Sequence, residues 1–329
     1  MFLKLTAAFL ISLAVTVITG ILLVPALRRK KAGQTIREDG PVWHNKKQGT
    51  PTLGGLMFIT GVIIACFIAG FSEIKEGRPG HLYILLFSLV YAAIGFIDDL
   101  QKLRNKRNLG LKAKQKFILQ IAAAVVLLFL MWLTGNLTTR MYIPYFNVTI
   151  LIPVPVYILF AAFVVVGTVN SVNLTDGVDG LATGVSIPVA VFFAVAALMW
   201  ELAGVGVFSA ALAGGLIAFL FFNFHPAKVF MGDTGALFIG GAVSALAFAM
   251  DMPLVLIPVG IVYFIETLSD IIQIIYFKLT HGKRVFKMAP LHHHFELYGW
   301  SEYRLFAVFT LTSAVFAVIS YLGVYLRFG

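Results

Sequence analysis

Long apolar runs separated by short polar segments dominate the hydrophobic pattern of this chain. The clear runs cover roughly residues 5–27, 53–71, 82–97, 117–134, 154–172 and 305–326. Because a helix of about 20 apolar residues crosses the hydrocarbon core of a bilayer, each run predicts one membrane-spanning helix. The pattern as a whole predicts an all-α polytopic membrane protein.

One longer apolar stretch, residues 181–222, is interrupted only by Glu201. As a single helix it would extend about 63 Å, which is twice the thickness of the hydrocarbon core. We therefore expect it to fold back on itself, with Glu201, Gly204 and Gly206 marking the turn.

A second long stretch, residues 236–277, poses the same problem. Asp251, Met252 and Pro253 divide it, since proline cannot continue a helix without losing a hydrogen bond. Both long stretches then contribute two spans each, and the sequence predicts ten transmembrane helices in all.

Basic residues are concentrated on alternate loops. Five alternate loops together hold 20 of the 25 Lys and Arg, and the other five are Lys4, Lys75, Arg78, Arg140 and Arg327. These five loops are 28–52, 98–116, 173–180, 223–235 and 278–304. Since cytoplasmic loops carry an excess of Lys and Arg, we expect these loops in the cytoplasm and both termini outside.

The composition narrows the class of protein and of partner. Hydrophobic residues make up 60% of the chain, so no soluble fold could bury its apolar surface. The net charge of +10 favours anionic lipids and phosphorylated ligands at the cytoplasmic face. It does not favour nucleic acid, because the chain has no basic soluble domain. No repeat or linker divides the sequence, which predicts a single transmembrane domain over residues 1–329.

One outer loop has a strand-like pattern. Residues 138–150 are rich in β-branched and aromatic side chains around Pro144 and Asn147. This composition predicts a short β-hairpin at the outer interface.

Carboxylates gather at the predicted cytoplasmic ends of the spans and in the short loops there: Asp98, Asp99, Asp176, Asp179 and Asp233. Any one of them could be a helix cap. The adjacent Asp98 and Asp99 repel each other, however, and stay ionised comfortably only beside a cation. Acidic groups flanked by glycine or apolar residues at a membrane are costly and usually functional.

The donor chemistry favours magnesium. Aspartate oxygens without thiolates suit Mg²⁺, which takes one or two carboxylates and completes its shell with water and substrate phosphates. Asp98, Asp99 and Asp233 are therefore the predicted metal ligands. No glycine-rich nucleotide loop of a standard type is present, so phosphates must meet the metal, helix ends or lysines. The candidate lysines are Lys102, Lys112 and Lys114, although such a run more often only sets topology.

Two further segments carry candidate ligand-binding groups. Residues 173–180, with the sequence NLTDGVDG, offer an amide, a hydroxyl and two carboxylates between glycines that allow close approach. A tight turn between helices is the alternative. His292, His293 and His294 look like a zinc site, but neighbouring side chains point about 100° apart on a helix. Contacts with a sugar or phosphate are therefore predicted for the three histidines.

Glu266, Asp270 and Gln273 recur at helical spacing and share one face. A polar stripe facing the bundle is the simpler interpretation. An ion pathway is the alternative, and it makes an ion-coupled transporter the leading rival function. Against a transporter, most acidic residues lie at one face and the chain shows no matching halves.

Five motifs together resemble the polyprenyl-phosphate N-acetylhexosamine-1-phosphate transferases. They are GTPTLGG at 49–55, the Asp98-Asp99 pair, NLTDGVDG at 173–180, FMGDTG at 230–235 and APLHHHFE at 289–296. They occur in the order of that family, from the first span to the last. The histidine motif resembles in particular the bacterial branch that transfers phospho-N-acetylmuramoyl-pentapeptide.

The resemblance implies a reaction and a location. The chain would move phospho-N-acetylmuramoyl-pentapeptide from UDP to undecaprenyl phosphate, releasing UMP and forming lipid I for peptidoglycan. The site would lie at the cytoplasmic face of a bacterial plasma membrane, use Mg²⁺, and belong to a homodimer. A transferase for UDP-N-acetylglucosamine is the nearest alternative within the family.

The resemblance also implies residue roles. Asp233 would bind the metal, Asp98 would deprotonate or align the lipid phosphate, and Asp99 would support the metal or balance charge. A covalent aspartyl-phosphate route competes with this scheme. The uridine would be surrounded by Asn173, Asp176, Gly177, Asn223, Phe230 and Gln273, with Phe230 stacked on the base. The phosphates and sugar would meet Lys47, Thr52, Lys114 and His292 or His293.

Overall fold

The computed structural model describes residues 1–29, 49–105, 110–325 and 327, and these residues form a helical bundle. The first helices are α1 (Phe2–Arg29), α2 (Gly55–Ala69), α3 (Phe71–Lys75), α4 (Gly80–Asn105) and α5 (Ala113–Leu133). After a hairpin come α6 (Val154–Thr175), α7 (Leu181–Met199), α8 (Ala203–Asn223) and α9 (Gly232–Ala249). The remaining helices are α10 (Leu256–Val259), α11 (Ile261–Leu279), α12 (Leu291–Glu296) and α13 (Glu302–Tyr325).

The helices are consistent with a polytopic membrane protein, but the predicted count of ten spans is not reproduced by length. Within the described ranges, eight helices are long and apolar enough to cross a membrane, and a ninth results if α10 and α11 count as one. Helix α2, predicted as a span over 53–71, has 15 residues. At 1.5 Å per residue it covers about 22 Å, less than the hydrocarbon core.

The fold-back inside the stretch 181–222 is confirmed, but its glycines were placed wrongly. Helix α7 ends at Met199 and α8 begins at Ala203, with Glu201 in the turn at a φ of 56°. Gly204 and Gly206 lie inside α8 instead. There they allow close packing: a Cβ on Gly206 would lie 3.0 Å from Leu5 of α1.

The helix over the second long stretch, residues 236–277, is interrupted at the predicted position near Pro253. It is interrupted again at a second position that was not predicted. Helix α9 ends at Ala249, and Pro253 opens a short 3-10 turn that leads into α10. A further bend of 83° separates the segment Pro253–Val259 from α11. Gly260 lies at this bend, where its lack of a side chain removes one obstacle to the change of direction.

The segment 138–150 forms a two-stranded antiparallel hairpin, with β1 at Arg140–Ile143 and β2 at Val148–Leu151. Tyr145 and Asn147 in its turn have positive φ angles. The backbone N–H of Tyr142 donates to the carbonyl of Asp251, which joins the hairpin to the turn after α9. Its position relative to a membrane stays a prediction.

Helix α9 is at the centre of the molecule. Every residue from Thr234 to Phe248 is buried, and the helix packs against α4 and α6. Helix α1 packs against α2 and α8 on another side of the bundle. The buried apolar side chains form a contiguous core that extends from Leu5 to Val324. The N-terminus of α9, which carries Asp233, is thereby held rigidly beside α4.

Candidate active site

The Asp98-Asp99 pair lies inside a helix rather than at its end. Helix α4 continues to Asn105, so Lys102 is not in a loop, as the sequence suggested, but one turn beyond Asp98. At a separation of four residues the two side chains share a face, and Lys102 Nζ lies 2.7 Å from Asp98 Oδ2. Both aspartates are buried.

Asp233 joins this pair from the first turn of α9. Asp98, Asp99 and Asp233 each offer a carboxylate oxygen, and these oxygens lie within 4.8 Å of one another. The predicted convergence of the three residues is therefore confirmed, while their roles stay proposals. Lys102 Nζ lies 3.1 Å from Asp233 Oδ2 and 3.9 Å from Asp99 Oδ1. We call these three aspartates the carboxylate cluster.

Asp99 has a structural task within the cluster. Its carboxylate accepts hydrogen bonds from the backbone N–H of Asp233 at 3.1 Å and of Thr234 at 2.9 Å. The Thr234 hydroxyl adds a third bond at 2.7 Å. The first N–H groups of a helix have no partner within the helix, and a carboxylate is the favoured cap. Asp99 thus caps α9 from another helix and fixes the position of Asp233.

The GTPTLGG motif holds the other side of the α9 N-terminus. Phe230 N–H donates to the carbonyl of Pro51, and Gly54 N–H donates to the carbonyl of Phe230, both at 2.8 Å. The pairing brings buried Thr52 next to Gly232, where an added Cβ would lie 2.7 Å from the Thr52 hydroxyl and 2.5 Å from the Asp99 carboxylate. With a φ of 70°, Gly232 is required on both conformational and spatial grounds.

Lys116, which was not predicted, contacts the carboxylate cluster. Lys116 Nζ lies 2.5 Å from Asp233 Oδ2, whereas the predicted Lys114 is exposed on the same helix, α5. Two residues apart on a helix, their side chains point about 200° apart, so only one can face the cluster. The run of lysines at 112–116 indicated that a lysine could reach the site, but the sequence did not indicate which face of α5 points towards it. The predicted Lys47 lies outside the described residues.

The loop 173–180 adjoins the carboxylate cluster. Asp176 follows the last residue of α6 and is half-buried. Burial raises the pKa of Asp176 well above its usual range, and the nearby carboxylates of Asp233 and Asp99 raise it further. Gly177 touches the histidine segment, because a Cβ there would overlap the ring of His292. Loop, cluster and histidines therefore form one continuous site.

Asp179 is held by three residues that were not predicted, two of them through polar side chains. Its Oδ2 lies 2.9 Å from Nδ1 of His225 and accepts the backbone N–H of Ala227 at 3.0 Å. Its own backbone N–H donates to Glu302 at 3.1 Å. His225 and Glu302 come from segments far apart in the chain, and only their shared polarity in loops predicted to be cytoplasmic could have suggested them. Asp179 thus connects the loop to the segment between α8 and α9 and to the first residue of α13.

Two of the remaining predicted uridine residues, Asn223 and Gln273, already make hydrogen bonds within the protein. Buried Asn223 accepts a hydrogen bond from the Thr183 hydroxyl at 2.7 Å and donates to the carbonyl of Val229 at 3.0 Å. Gln273 accepts the N–H groups of Val285 and Phe286, each at 3.0 Å. Phe230 is half-buried beside the cluster, and Asn173 is half-buried at the end of α6.

The three histidines have different partners, as expected from their positions on a helix. His292 Nδ1 lies 2.9 Å from Glu266, and His293 Nδ1 lies 2.6 Å from Glu296. His294 Nδ1 accepts the backbone N–H of Lys287 at 3.0 Å. Burial and the nearby Lys287 lower the pKa of His294, which agrees with a neutral ring acting as an acceptor.

Comparison with known proteins agrees with the motifs. The family model for Glycosyl transferase family 4 matches residues 81–251. A phospho-N-acetylmuramoyl-pentapeptide-transferase from Caldanaerobacter subterraneus subsp. tengcongensis is 46% identical over 97% of this chain and 98% of its own length. The chain belongs to the phospho-N-acetylmuramoyl-pentapeptide-transferase family.

Other members of this transferase family match over a similar extent. The transferase of Clostridium acetobutylicum is 44% identical over 95% of this chain and 97% of its own length. That of Thermoanaerobacter sp. strain X514 is 48% identical over 95% of each chain. The matched family model includes Asp98, Asp99, the loop 173–180 and Asp233, so the transferase match covers most of the site described above.

Proposed function

We propose that this protein transfers phospho-N-acetylmuramoyl-pentapeptide from its UDP carrier to undecaprenyl phosphate, forming lipid I and UMP. The observation that carries the proposal is the joining of the carboxylate cluster, the loop 173–180 and the histidine segment at one end of the bundle. Cationic and polar groups for a nucleotide sugar thus lie beside acidic groups that suit a phosphate-bound cation. The family relatives carry this substrate in their names.

The two substrates fit two parts of the site. Phe230 offers a half-buried aromatic face for stacking on uracil, and the loop 173–180 offers polar groups for the nucleoside. Lys102 and Lys116 bring positive charge to the phosphates. The acceptor is a lipid phosphate, which reaches a site at the edge of the bilayer from within the membrane.

The donor set of the carboxylate cluster fits a magnesium ion. Carboxylate oxygens of Asp98, Asp99 and Asp233 lie within 4.8 Å of one another, and hard oxygen ligands without thiolates are what Mg²⁺ prefers. Bound there, Mg²⁺ would neutralise charge on the pyrophosphate and stabilise the departing UMP. Asp99, already engaged as the cap of α9, would contribute more to position than to coordination.

The chemical step is a displacement at phosphorus. An oxygen of undecaprenyl phosphate forms a bond to the sugar-linked phosphorus, and the bond from that phosphorus to the UMP oxygen breaks. Asp98 aligns the acceptor phosphate and takes its proton if one remains, a modest demand because the second pKa of a phosphate monoester is about 6. Lys102 and Lys116 balance the negative charge that develops on the leaving UMP.

Further parts of the proposal concern placement and assembly. Residues 1–329 form one catalytic domain in a bacterial plasma membrane, with the site facing the cytoplasm and both termini outside. The distribution of Lys and Arg supports this orientation. The protein works as a homodimer among anionic lipids.

The direct test is a donor and acceptor comparison on purified protein. With Mg²⁺ and undecaprenyl phosphate, we expect UMP release from UDP-N-acetylmuramoyl-pentapeptide, none from UDP-N-acetylglucosamine, and loss of release when EDTA is added. Release from UDP-N-acetylglucosamine alone would refute the substrate assignment. In the absence of lipid, a burst of UMP equal to the enzyme would indicate the competing covalent aspartyl-phosphate route.

The lysine that pairs with Asp233 provides a prediction specific to the tertiary structure. Lys116→Met is expected to lower kcat about tenfold, because it removes a charge-assisted contact to the cluster. Lys114→Met should cost less, since Lys114 is exposed. The measurement is the initial rate of UMP release by both variants. An equal loss in the two variants, or a larger loss in Lys114→Met, would contradict the assignment of Lys116.

A further inference from the structure

Glu266 on α11 and His292 on α12 form a pair that is closed off from solvent. Glu266 is 0% exposed and His292 is 1% exposed. His292 Nδ1 lies 2.9 Å from Glu266 Oε2, and the backbone N–H of His292 donates to the same oxygen at 3.4 Å. Two contacts from one residue to one oxygen fix both the place and the direction of the imidazole ring.

The carboxylate determines which ring nitrogen carries the proton. A carboxylate oxygen can only accept a hydrogen bond, so Nδ1 carries the proton in its contact with Oε2, and this sets the tautomer. The other nitrogen, Nε2, has no hydrogen-bond partner within the described part of the chain. It lies against Gly177, where a Cβ would overlap it. A buried ring nitrogen without a partner is costly unless a bound molecule supplies one.

We propose that Glu266 is a positioning residue for the transfer reaction. Its carboxylate holds His292 in the Nδ1–H form, so that Nε2 accepts a hydrogen bond from an N–H or O–H group of the nucleotide sugar bound at loop 173–180. Glu266 itself touches no substrate and acts through His292. The inference rests on the proposed function, because it needs a nucleotide sugar in this loop.

The same helix face explains the polar stripe seen in the sequence. Seven residues beyond Glu266, Gln273 holds the backbone of Val285 and Phe286 through three hydrogen bonds. Glu266 therefore holds α12 itself, and Gln273 holds the chain that leads into it. These contacts within the protein account for the polar residues Glu266 and Gln273 on this helix face without an ion pathway.

A double-mutant cycle tests the inference on the full-length protein. Glu266→Met removes charge and acceptor at similar volume, and His292→Asn removes the ring. Each single variant is expected to lower kcat/KM for UMP release about 10- to 100-fold, and the double variant should lose no more than His292→Asn alone. Additive losses would overturn the proposal, since they would mean that Glu266 acts independently of His292.

A conservative variant and a spectroscopic measurement keep the test decisive if Glu266→Met folds poorly. Glu266→Gln keeps an oxygen that can accept from Nδ1, so we expect it to recover most of the activity. Long-range proton–nitrogen NMR correlations on ¹⁵N-histidine protein should show His292 protonated at Nδ1, with His292→Asn used for assignment. Protonation at Nε2 in the wild-type protein would also overturn the proposal.

Asp270 provides the matched control on the same helix. It lies one turn beyond Glu266 and is half-buried, and Asp270→Asn should keep kcat/KM within about twofold, as is usual away from specific contacts. If the wild-type protein releases no UMP from the muramoyl donor, the proposed function fails. If it does so but the cycle is additive, only the role of Glu266 fails.

Discussion

Asp233→Asn is expected to lower kcat for UMP release about 100-fold or more. The Asp233 carboxylate receives Lys102 at 3.1 Å and Lys116 at 2.5 Å, and its oxygens belong to the carboxylate cluster. Asparagine has nearly the same shape but no charge, and its amide nitrogen cannot accept from an ammonium or bind a metal ion. Electrostatic groups aimed at a reacting phosphate typically account for losses of this size. The measurement is the initial rate of UMP release at saturating donor.

Asp251→Asn is the matched control, because it makes the same change beyond the other end of α9. Asp251 accepts the hydroxyl of Thr138 at 2.7 Å and has a φ of 55°, a conformation that asparagine tolerates well. We expect activity within about twofold of the wild type, as for substitutions away from a site. An unchanged rate in Asp233→Asn would show that the metal assignment is wrong. A large loss in both variants would point to a general weakening of α9 instead.

Gly95→Ala is expected to reduce both activity and stability. Gly95 lies one turn before the Asp98-Asp99 pair, and a Cβ there would overlap the backbone of Asp233, with the nitrogen of Thr234 only 2.7 Å away. Because the obstacle is backbone rather than a flexible side chain, α4 and α9 must move apart. Forcing an extra methyl group into a close contact costs about 1–3 kcal/mol. We expect a lower melting temperature in detergent and at least a tenfold loss of kcat, because the shift separates the cluster.

Gly167→Ala provides the comparison for this change. Gly167 is also in a transmembrane helix, α6, but a Cβ there meets nothing within 4 Å. In a helix, alanine is more favourable than glycine by up to about 1 kcal/mol, so the melting temperature of this variant should stay the same or rise. Equal behaviour of the two variants would contradict the close packing of α4 on α9 as the origin of the effect.

The sequence was sufficient to predict which carboxylates meet at the candidate active site, because few residue types can bind a metal ion or phosphate. Carboxylates at the ends of apolar spans are expensive, so Asp98, Asp99 and Asp233 stood out without coordinates. The geometric argument against one metal on three adjacent histidines also agrees with the structure, in which each has a different partner. These inferences depend only on residue composition and on the regular geometry of a helix, and both can be read from the sequence.

Other features of the site depend on how distant helices meet. Lys114 and Lys116 are the same type of residue, and only the orientation of α5 on α4 and α6 turns Lys116 towards Asp233. Asp99 was predicted as a metal or charge partner, a role that stays a proposal, and its hydrogen bonds to Asp233 and Thr234 make it a helix cap as well. Such a cap crosses between helices and leaves no signal at the usual spacing along one chain.

From its sequence alone, this protein is determined to be a bundle of apolar helices with acidic and histidine motifs at one end. Hydrophobic runs and basic loops reflect transfer free energies of individual segments, which do not require knowledge of neighbours. The tertiary structure decided which polar groups are paired and which face the site. It placed Glu266 against His292, bent the chain by 83° before α11, and packed Gly95 on the backbone of Asp233. These features arise from contacts between segments far apart in the chain, where backbone proximity and burial fix the geometry of each group.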